Sequence, residues 1–342
     1  MNPIAGILLI ALGSIGAASF YVPFKKVKVW AWESYWLSQG VAAWLIAPWL
    51  FAFIFIPHGE LIPIINEAPA SAKLMAMVFG ILWGFGGLTF GLSIRYLGVA
   101  LGQSIALGLC AAFGTLIPPI VAGENLFDST TGILTIIGVA ITVAGIAIIG
   151  YAGSLKSREM SEEEKKAAVK EFALKKGILI AIFAGVMSAC FNFGFEAGKP
   201  IENVALAHGT NPLFQKNPTL IFILIGGFIT NLVYCGFLNI KNKTYTDYFS
   251  VPGTVFFNNL FFTFLAGFLW FLQFHFFGMG SSKLPAGMAV FGWSILMALN
   301  IAISNIWGIL LKEWKGAKRK TMMVLVIGII VLILSTFIVK LG

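Results

Sequence analysis

Charge is the scarcest property of this chain: Asp, Glu, Lys and Arg supply 11% of its 342 residues, where soluble domains carry about a quarter. With 58% hydrophobic residues, no soluble core has room for the apolar surface that remains, so a water-soluble globular class is excluded. Cysteine and histidine occur three times each. Cys110, Cys190 and Cys235 stand singly in apolar stretches with no second Cys or His at ligand spacing, which leaves them as small packing residues. No phosphate loop and no His/Cys/Asp or Ser/His/Asp constellation is present. A membrane enzyme, the reading from another functional class, therefore lacks its chemistry, and no metal or cofactor is implied. Nor is there the carbonyl-filter sequence or repeated charge ring of a channel.

What the chain does have is ten apolar runs, at residues 4–23, 34–57, 74–94, 98–121, 131–151, 177–198, 217–238, 255–277, 286–311 and 321–341. Each is close to the ~20-residue helix that crosses a bilayer, and in lipid only helices or closed barrels satisfy their own backbone. The expected fold is an all-α integral membrane protein with ten transmembrane helices. The first run has no Lys or Arg before it and continues into Tyr21, Pro23 and Lys25 instead of a small-residue cleavage site, so it reads as a permanent helix. Net charge is +9, and its distribution carries the information: 18 of the 23 Lys and Arg fall in odd-numbered connections, 5 in even-numbered ones and the termini. The positive-inside rule then puts the odd connections in the cytoplasm and both termini outside.

The one long polar stretch, residues 154–176, is rich in Glu and Lys and divides the runs five and five. It is expected to form a short cytoplasmic surface helix between a first repeat, residues 1–153, and a second, residues 177–342. Five spans per half force the second half to enter the membrane with the opposite sense, the arrangement of an inverted-repeat transporter. Faint echoes agree: Gly80-Ile81-Leu82-Trp83 matches Gly267-Phe268-Leu269-Trp270, and at the same offset of 187 residues Leu97-Gly98 falls on Leu284-Pro285. Glu124 after the fourth run likewise falls near Glu313 after the ninth, and both read as structural groups at helix ends.

The stretch Phe20-Tyr21-Val22-Pro23-Phe24-Lys25-Lys26-Val27-Lys28, followed by Trp30, Trp32-Glu33 and Trp36, resembles the opening of the L-rhamnose/proton symporter family within the drug/metabolite transporter superfamily. Arg95-Tyr96-Leu97-Gly98, Leu174-Lys175-Lys176-Gly177, Lys199-Pro200, Trp270-Phe271-Leu272-Gln273-Phe274 and Leu311-Lys312-Glu313-Trp314 resemble further motifs of that family, in order and across essentially the whole chain. The resemblance implies two inverted five-helix repeats and a central sugar site lined mainly by the first, third, fourth, sixth, eighth and ninth helices. It also implies proton-driven uptake across a bacterial inner membrane. Rhamnose-transporting members carry asparagines midway along the third helix and an acid soon after the proline that opens the ninth. This chain has Gly84-Phe85-Gly86-Gly87-Leu88-Thr89 and Pro285-Ala286-Gly287-Met288-Ala289 there, and Glu196 where those members have a neutral amide, so its polar lining is redistributed.

Ionisable groups inside hydrocarbon are costly and so mark function by default. Three are candidates for the coupling proton. Glu33 opens the second run among tryptophans, with pairing to Lys25, Lys26 or Lys28 as its structural alternative. Glu196 lies three residues before Lys199, with an intrahelical ion pair as the alternative, and shares its face with Asn192 and Ser188. His275 follows Gln273 by two residues, with packing as the alternative. Sugar recognition calls for amides and hydroxyls against ring hydroxyls and an aromatic plane against the apolar face. Gln103, Asn192, Gln273, Asn300 and Asn305 supply amides, and Tyr21, Trp83, Trp270 and Trp293 supply planes. Trp30, Trp32, Trp36, Trp44, Trp49 and Trp314 read as interfacial belts. The favoured function is import of a monosaccharide, a 6-deoxyhexose such as L-rhamnose or L-fucose, with protons. Export of metabolites or drugs, which the superfamily also performs, is the runner-up.

Overall fold

The computed structural model describes residues 2–159 and 174–338. Residues 160–173, and with them the surface helix expected in the charged connection, lie outside the described residues. Among the latter, thirteen α-helices account for the fold: α1 Pro3–Ser19, α2 Tyr21–Phe24, α3 Trp32–Gly40, α4 Ala47–Phe55, α5 Leu61–Glu67, α6 Ala70–Val121, α7 Thr130–Glu159, α8 Leu174–Ala197, α9 Lys199–Ala207, α10 Asn217–Asn242, α11 Gly253–Ser281, α12 Ala286–Leu310 and α13 Arg319–Ser335. Short 3₁₀ turns at Leu126–Asp128, Pro212–Phe214 and Thr244–Tyr248 join some of them. Nine spans among the described residues are long and apolar enough to cross a bilayer, and α13 adds a helix of 17 residues. Proline marks the entrances of α9 and α10, where its missing N–H is an orphan in any case.

Two boundaries differ from the hydropathy reading. The third and fourth runs share one helical hydrogen-bonding pattern through α6, yet the chain doubles back within it: a Cβ on Gly102 would lie 2.8 Å from the carbonyl oxygen of Ser93. Nine residues of straight helix would separate those groups by roughly 13 Å, so the two arms are separate spans joined by a tight reversal. The fifth run, read as ending near residue 151, continues to Glu159. Its last residue accepts hydrogen bonds from the Lys318 backbone N–H at 2.8 Å and the Thr321 hydroxyl at 2.6 Å. Tertiary anchoring therefore extends the helix into the polar stretch.

The chain packs as two compact units, each drawing on both sequence halves. The first comprises residues 1–11, 85–193 and 283–342, the second residues 12–84 and 194–282. In the first, α7 and α13 lie together, with the Thr142 hydroxyl donating to that of Ser335 at 3.0 Å, and α12 packs beside them. In the second, α3 and α4 pack against α10 and α11, and a dry cluster of Ala52, Ile56, Leu61, Ile64, Ala205 and Ile221 joins α4, α5, α9 and α10. Large apolar side chains stand outward, such as Val233 and Phe237 on α10 and Phe257 and Phe261 on α11. A soluble surface would aggregate with such faces, whereas lipid accepts them.

Helix approach in the second unit is close. At Gly80 of α6 an added Cβ would collide with the Ile223 carbonyl of α10, and at Gly267 of α11 it would sit 2.6 Å from the Gln39 carbonyl of α3. Backbones this near need glycine at the crossing.

Candidate functional site

The second unit holds a continuous line of indoles. Trp32, exposed at one end of α3, stacks on Trp36 at 5.4 Å. Trp36 meets the edge of Trp44 at 6.1 Å, and Trp44 meets Trp83 at 6.0 Å and Trp270 at 5.8 Å, both nearly perpendicular. Trp83 and Trp270 are 5.5 Å apart, completing a three-ring cluster from three helices. Each ring is held by its neighbours: the Trp36 N–H donates to Asn231 Oδ1 at 3.0 Å, and Trp83 lies on Gly227, where any side chain would meet its ring. The local backbone is unusual as well. Between α3 and α4 the helix widens into a π-helical turn, Val41–Ile46, which carries Trp44. Such turns are rare and concentrate at functional sites.

Of the residues predicted to bind sugar, the structure thus brings Trp83 and Trp270 together. Gln273, one turn along α11, is buried and donates its Nε2–H to the Trp270 carbonyl at 3.0 Å. Tyr21 stands apart with its ring exposed, packed against Phe20 and Phe24. Trp44, read from sequence as belt, is corrected: it is 2% exposed and forms the centre of the indole cluster. Trp30, also read as belt, is buried edge-on to Tyr248 and Phe256. Both belong to segments that pack against other helices, a placement hydropathy does not see.

The remaining predicted amides and Trp293 lie in the first unit. Asn192 of α8 donates to the Gly114 carbonyl at 2.8 Å, and Trp293 of α12 donates to the Cys110 carbonyl at 3.2 Å while stacking on Phe191. With the Thr115–Ser294 hydroxyl pair at 3.0 Å, these bonds tie α6, α8 and α12 to one another. Asn305 folds back on its own helix, donating to the Ile301 carbonyl at 2.8 Å. Asn300 lies on α12. Gln103 is on α6, but its side chain falls outside the described residues.

The acids separate sharply. Glu33 is 6% exposed, and its Oε1 accepts from the Asn242 amide and the Thr244 hydroxyl, each at 2.8 Å. Among the described residues no ion pair joins it to Lys25, Lys26 or Lys28. Its neighbours extend into a polar net: Thr244 also donates to Asn239, and Ser34 donates to Asn239 and Asp247. Glu196 takes its structural alternative, an ion pair with Lys199, and both side chains are well exposed. His275 is buried in an aromatic box of Phe51, Phe55, Phe214 and Phe271 and hydrogen-bonds Asn217 at 3.0 Å. Its surroundings are those of a packed ring more than of an exchanging one.

Three features escaped the sequence reading. Glu202 of α9 is 4% exposed and receives both of its oxygens' hydrogen bonds from Lys216 Nζ, at 3.0 and 3.2 Å. That ammonium also sits 5.0 Å over the Phe195 ring. Outside the spans, His208 bridges Glu60 at 2.6 Å and Glu67 at 2.7 Å. The hydrogen bonds to Glu60 and then Glu67 raise its pKa above the ordinary histidine value. Gln39, a lone amide in the second apolar run, is fully buried on the turn before Trp44. Its signal was available, since an amide inside an apolar run is the criterion that had picked out Gln273.

A model of the L-rhamnose-proton symport protein family matches residues 2–342. An L-rhamnose-proton symporter of Yersinia pestis (strain Pestoides F) is 38% identical over 343 residues, covering 99% of this chain and 98% of its own length. One of the same name from Yersinia pseudotuberculosis serotype O:1b (strain IP 31758) matches with the same identity and coverage.

Proposed function

The chain belongs to the L-rhamnose-proton symport protein family, and on that premise we propose how it carries a sugar. It is a proton-coupled sugar symporter of the bacterial inner membrane, a multi-pass protein and not an enzyme. The substrate is L-rhamnose or a close 6-deoxyhexose. The indole cluster carries the assignment of the site: Trp83 and Trp270 offer apolar planes to the C–H face of a pyranose, and Gln273 offers an amide to its hydroxyls. A 6-deoxy sugar, with a methyl in place of the hydroxymethyl group, suits an aromatic-rich wall better than a hexose does.

Glu33 is the proton carrier in this reading. It is a buried carboxylate held by two neutral donors and, among the described residues, by no cation. The architecture is ten helices in two inverted repeats, with α13 as the tenth. The matched crossings support it: Gly80 on the third span meets the seventh, and at the offset of 187 residues Gly267 on the eighth meets the second. The basic asymmetry orients residues 154–176 to the cytoplasm. Alternating access follows from the repeat symmetry.

Uptake of labelled L-rhamnose into proteoliposomes tests the whole. Accumulation against a gradient with an imposed inward proton gradient, abolished by a protonophore, is the expected result. Accumulation that needs sodium and ignores pH would overturn the proton assignment, and absence of any L-rhamnose flux would overturn the substrate.

A further inference from the structure

The π-helical turn and the end of α3 that leads into it carry polar atoms for which the described residues supply no partner. Gln39 is fully buried, and neither its Oε1 nor its Nε2 has a hydrogen-bond partner among the described residues. The Trp44 Nε1–H, 2% exposed, has none either. Buried side-chain polar atoms are paired in the large majority of cases, and leaving them unpaired forfeits their whole hydration. Here two such atoms lie at the end of α3 and a third on the π turn that continues it. Trp44 adjoins the rings of Trp83 and Trp270, and the Gln39 backbone carbonyl forms the Gly267 crossing on the same helix as Trp270.

We propose that the Gln39 amide and the Trp44 indole N–H are sugar-binding groups that determine specificity by bonding adjacent ring hydroxyls. The inference deepens the sugar-symport reading and rests on it. A primary amide presents one acceptor and a donor pair side by side, which matches the two oxygens of a vicinal diol: one hydroxyl donates to Oε1 and the other accepts from Nε2–H. The indole N–H supplies a third, donor-only contact, so an oxygen must stand there and not a methyl. The Trp83 and Trp270 planes then face the apolar side of the same ring. Because Gln39 is sealed in this conformation, the sugar reaches it in another state of the cycle. The π turn, which interrupts the regular α-helical pattern between α3 and α4, is the element that gives way.

The test uses the full-length protein in nanodiscs, with calorimetric titration of L-rhamnose and of analogues each lacking one ring hydroxyl. Gln39→Met keeps the length of the side chain and removes both hydrogen-bonding atoms, and Trp44→Phe keeps an aromatic ring and removes the N–H. Each variant is expected to bind L-rhamnose tenfold to a hundredfold more weakly than wild type. Each should show a markedly smaller loss toward the one or two analogues that lack the hydroxyl it contacts. Equal loss for every analogue means a packing role and overturns the proposal, as does unchanged affinity in both variants. If Gln39→Met fails to fold, Trp44→Phe decides by the same criterion. Wild-type protein that binds no L-rhamnose overturns the sugar-symport reading and this inference with it, whereas wild-type binding with unaffected variants overturns the inference alone.

Discussion

The ion pair of Glu202 and Lys216 is the strongest single electrostatic commitment in the second unit, and breaking it has a calculable consequence. Its side chains are 6% and 13% exposed, both carboxylate oxygens are engaged, and the ammonium is additionally placed over Phe195. Removing one partner of such a pair leaves an uncompensated charge away from water and costs about 3–5 kcal/mol, whereas replacing both with apolar residues of similar volume is close to neutral. Lys216→Met and Glu202→Leu should therefore each lower thermal stability by an amount in that range, with Lys216→Met also losing roughly 0.5–1 kcal/mol from the ring contact. The double variant should recover most of the loss, so a double-mutant cycle should return a coupling of several kcal/mol. Glu196→Gln is the internal control. Its pair with Lys199 is 37% and 61% exposed, and exposed pairs are worth only about 0.2–1 kcal/mol. Unfolding of the purified protein in detergent, followed by intrinsic fluorescence, gives the comparison. Single variants that lose under about 1 kcal/mol, or losses that simply add in the double variant, would refute the claim that this pair is buried and strongly coupled.

Other outcomes follow from the same structure. Glu33→Gln should retain exchange of sugar for sugar in counterflow and lose concentrative uptake, and retained pH-dependent accumulation would remove Glu33 from the proton path. Trp270→Ala should weaken L-rhamnose binding at least tenfold, since it removes one plane of the cluster; a binding isotherm like that of wild type would move the sugar elsewhere. Gly80→Ala places a methyl against the Ile223 carbonyl and should cost about 1–3 kcal/mol of stability, readable as a lowered melting temperature. At the His208 bridge the folded-state pKa is raised, so its stabilisation is complete below about pH 6.5 and is lost as pH rises through the folded value. The melting temperature of wild type should therefore fall over that rise, and His208→Gln should flatten the dependence.

The fold was legible because bilayer chemistry writes it in a coarse alphabet. A helix that is apolar on every side announces itself by length alone, so the ten runs and the reversal between the third and fourth could be read from hydropathy. The end of α7 could not be, because Glu159 owes its helical state to bonds with Lys318 and Thr321 that exist only once the chain has folded. The echo of Gly80 in Gly267 was readable for the opposite reason. Each glycine sits at a close backbone approach, to the Ile223 carbonyl for Gly80 and the Gln39 carbonyl for Gly267, that leaves no room for a side chain.

The site was legible only in part, since residue type announces chemistry but not whether a neighbour has already used it. Trp83 and Trp270 were picked out by depth and do meet. Asn192 was picked out as an amide and Trp293 as an aromatic plane, and each donates to a backbone carbonyl, of Gly114 and Cys110, a choice the folded backbone makes. Glu196 and Glu202 show the limit most clearly. They lie six residues apart on a chain interrupted by Gly198 and Pro200, and the sequence favoured Glu196 because it shares a helical face with Asn192. The helix ends at Ala197, however, and α9 begins anew after Gly198. Glu196, at the end of α8, pairs across the break with Lys199 and stays partly exposed, while Glu202 on α9 is enclosed with Lys216. In a membrane protein the polar residues that matter cluster at such breaks, where the backbone turns and a side chain can find a partner the helix does not supply.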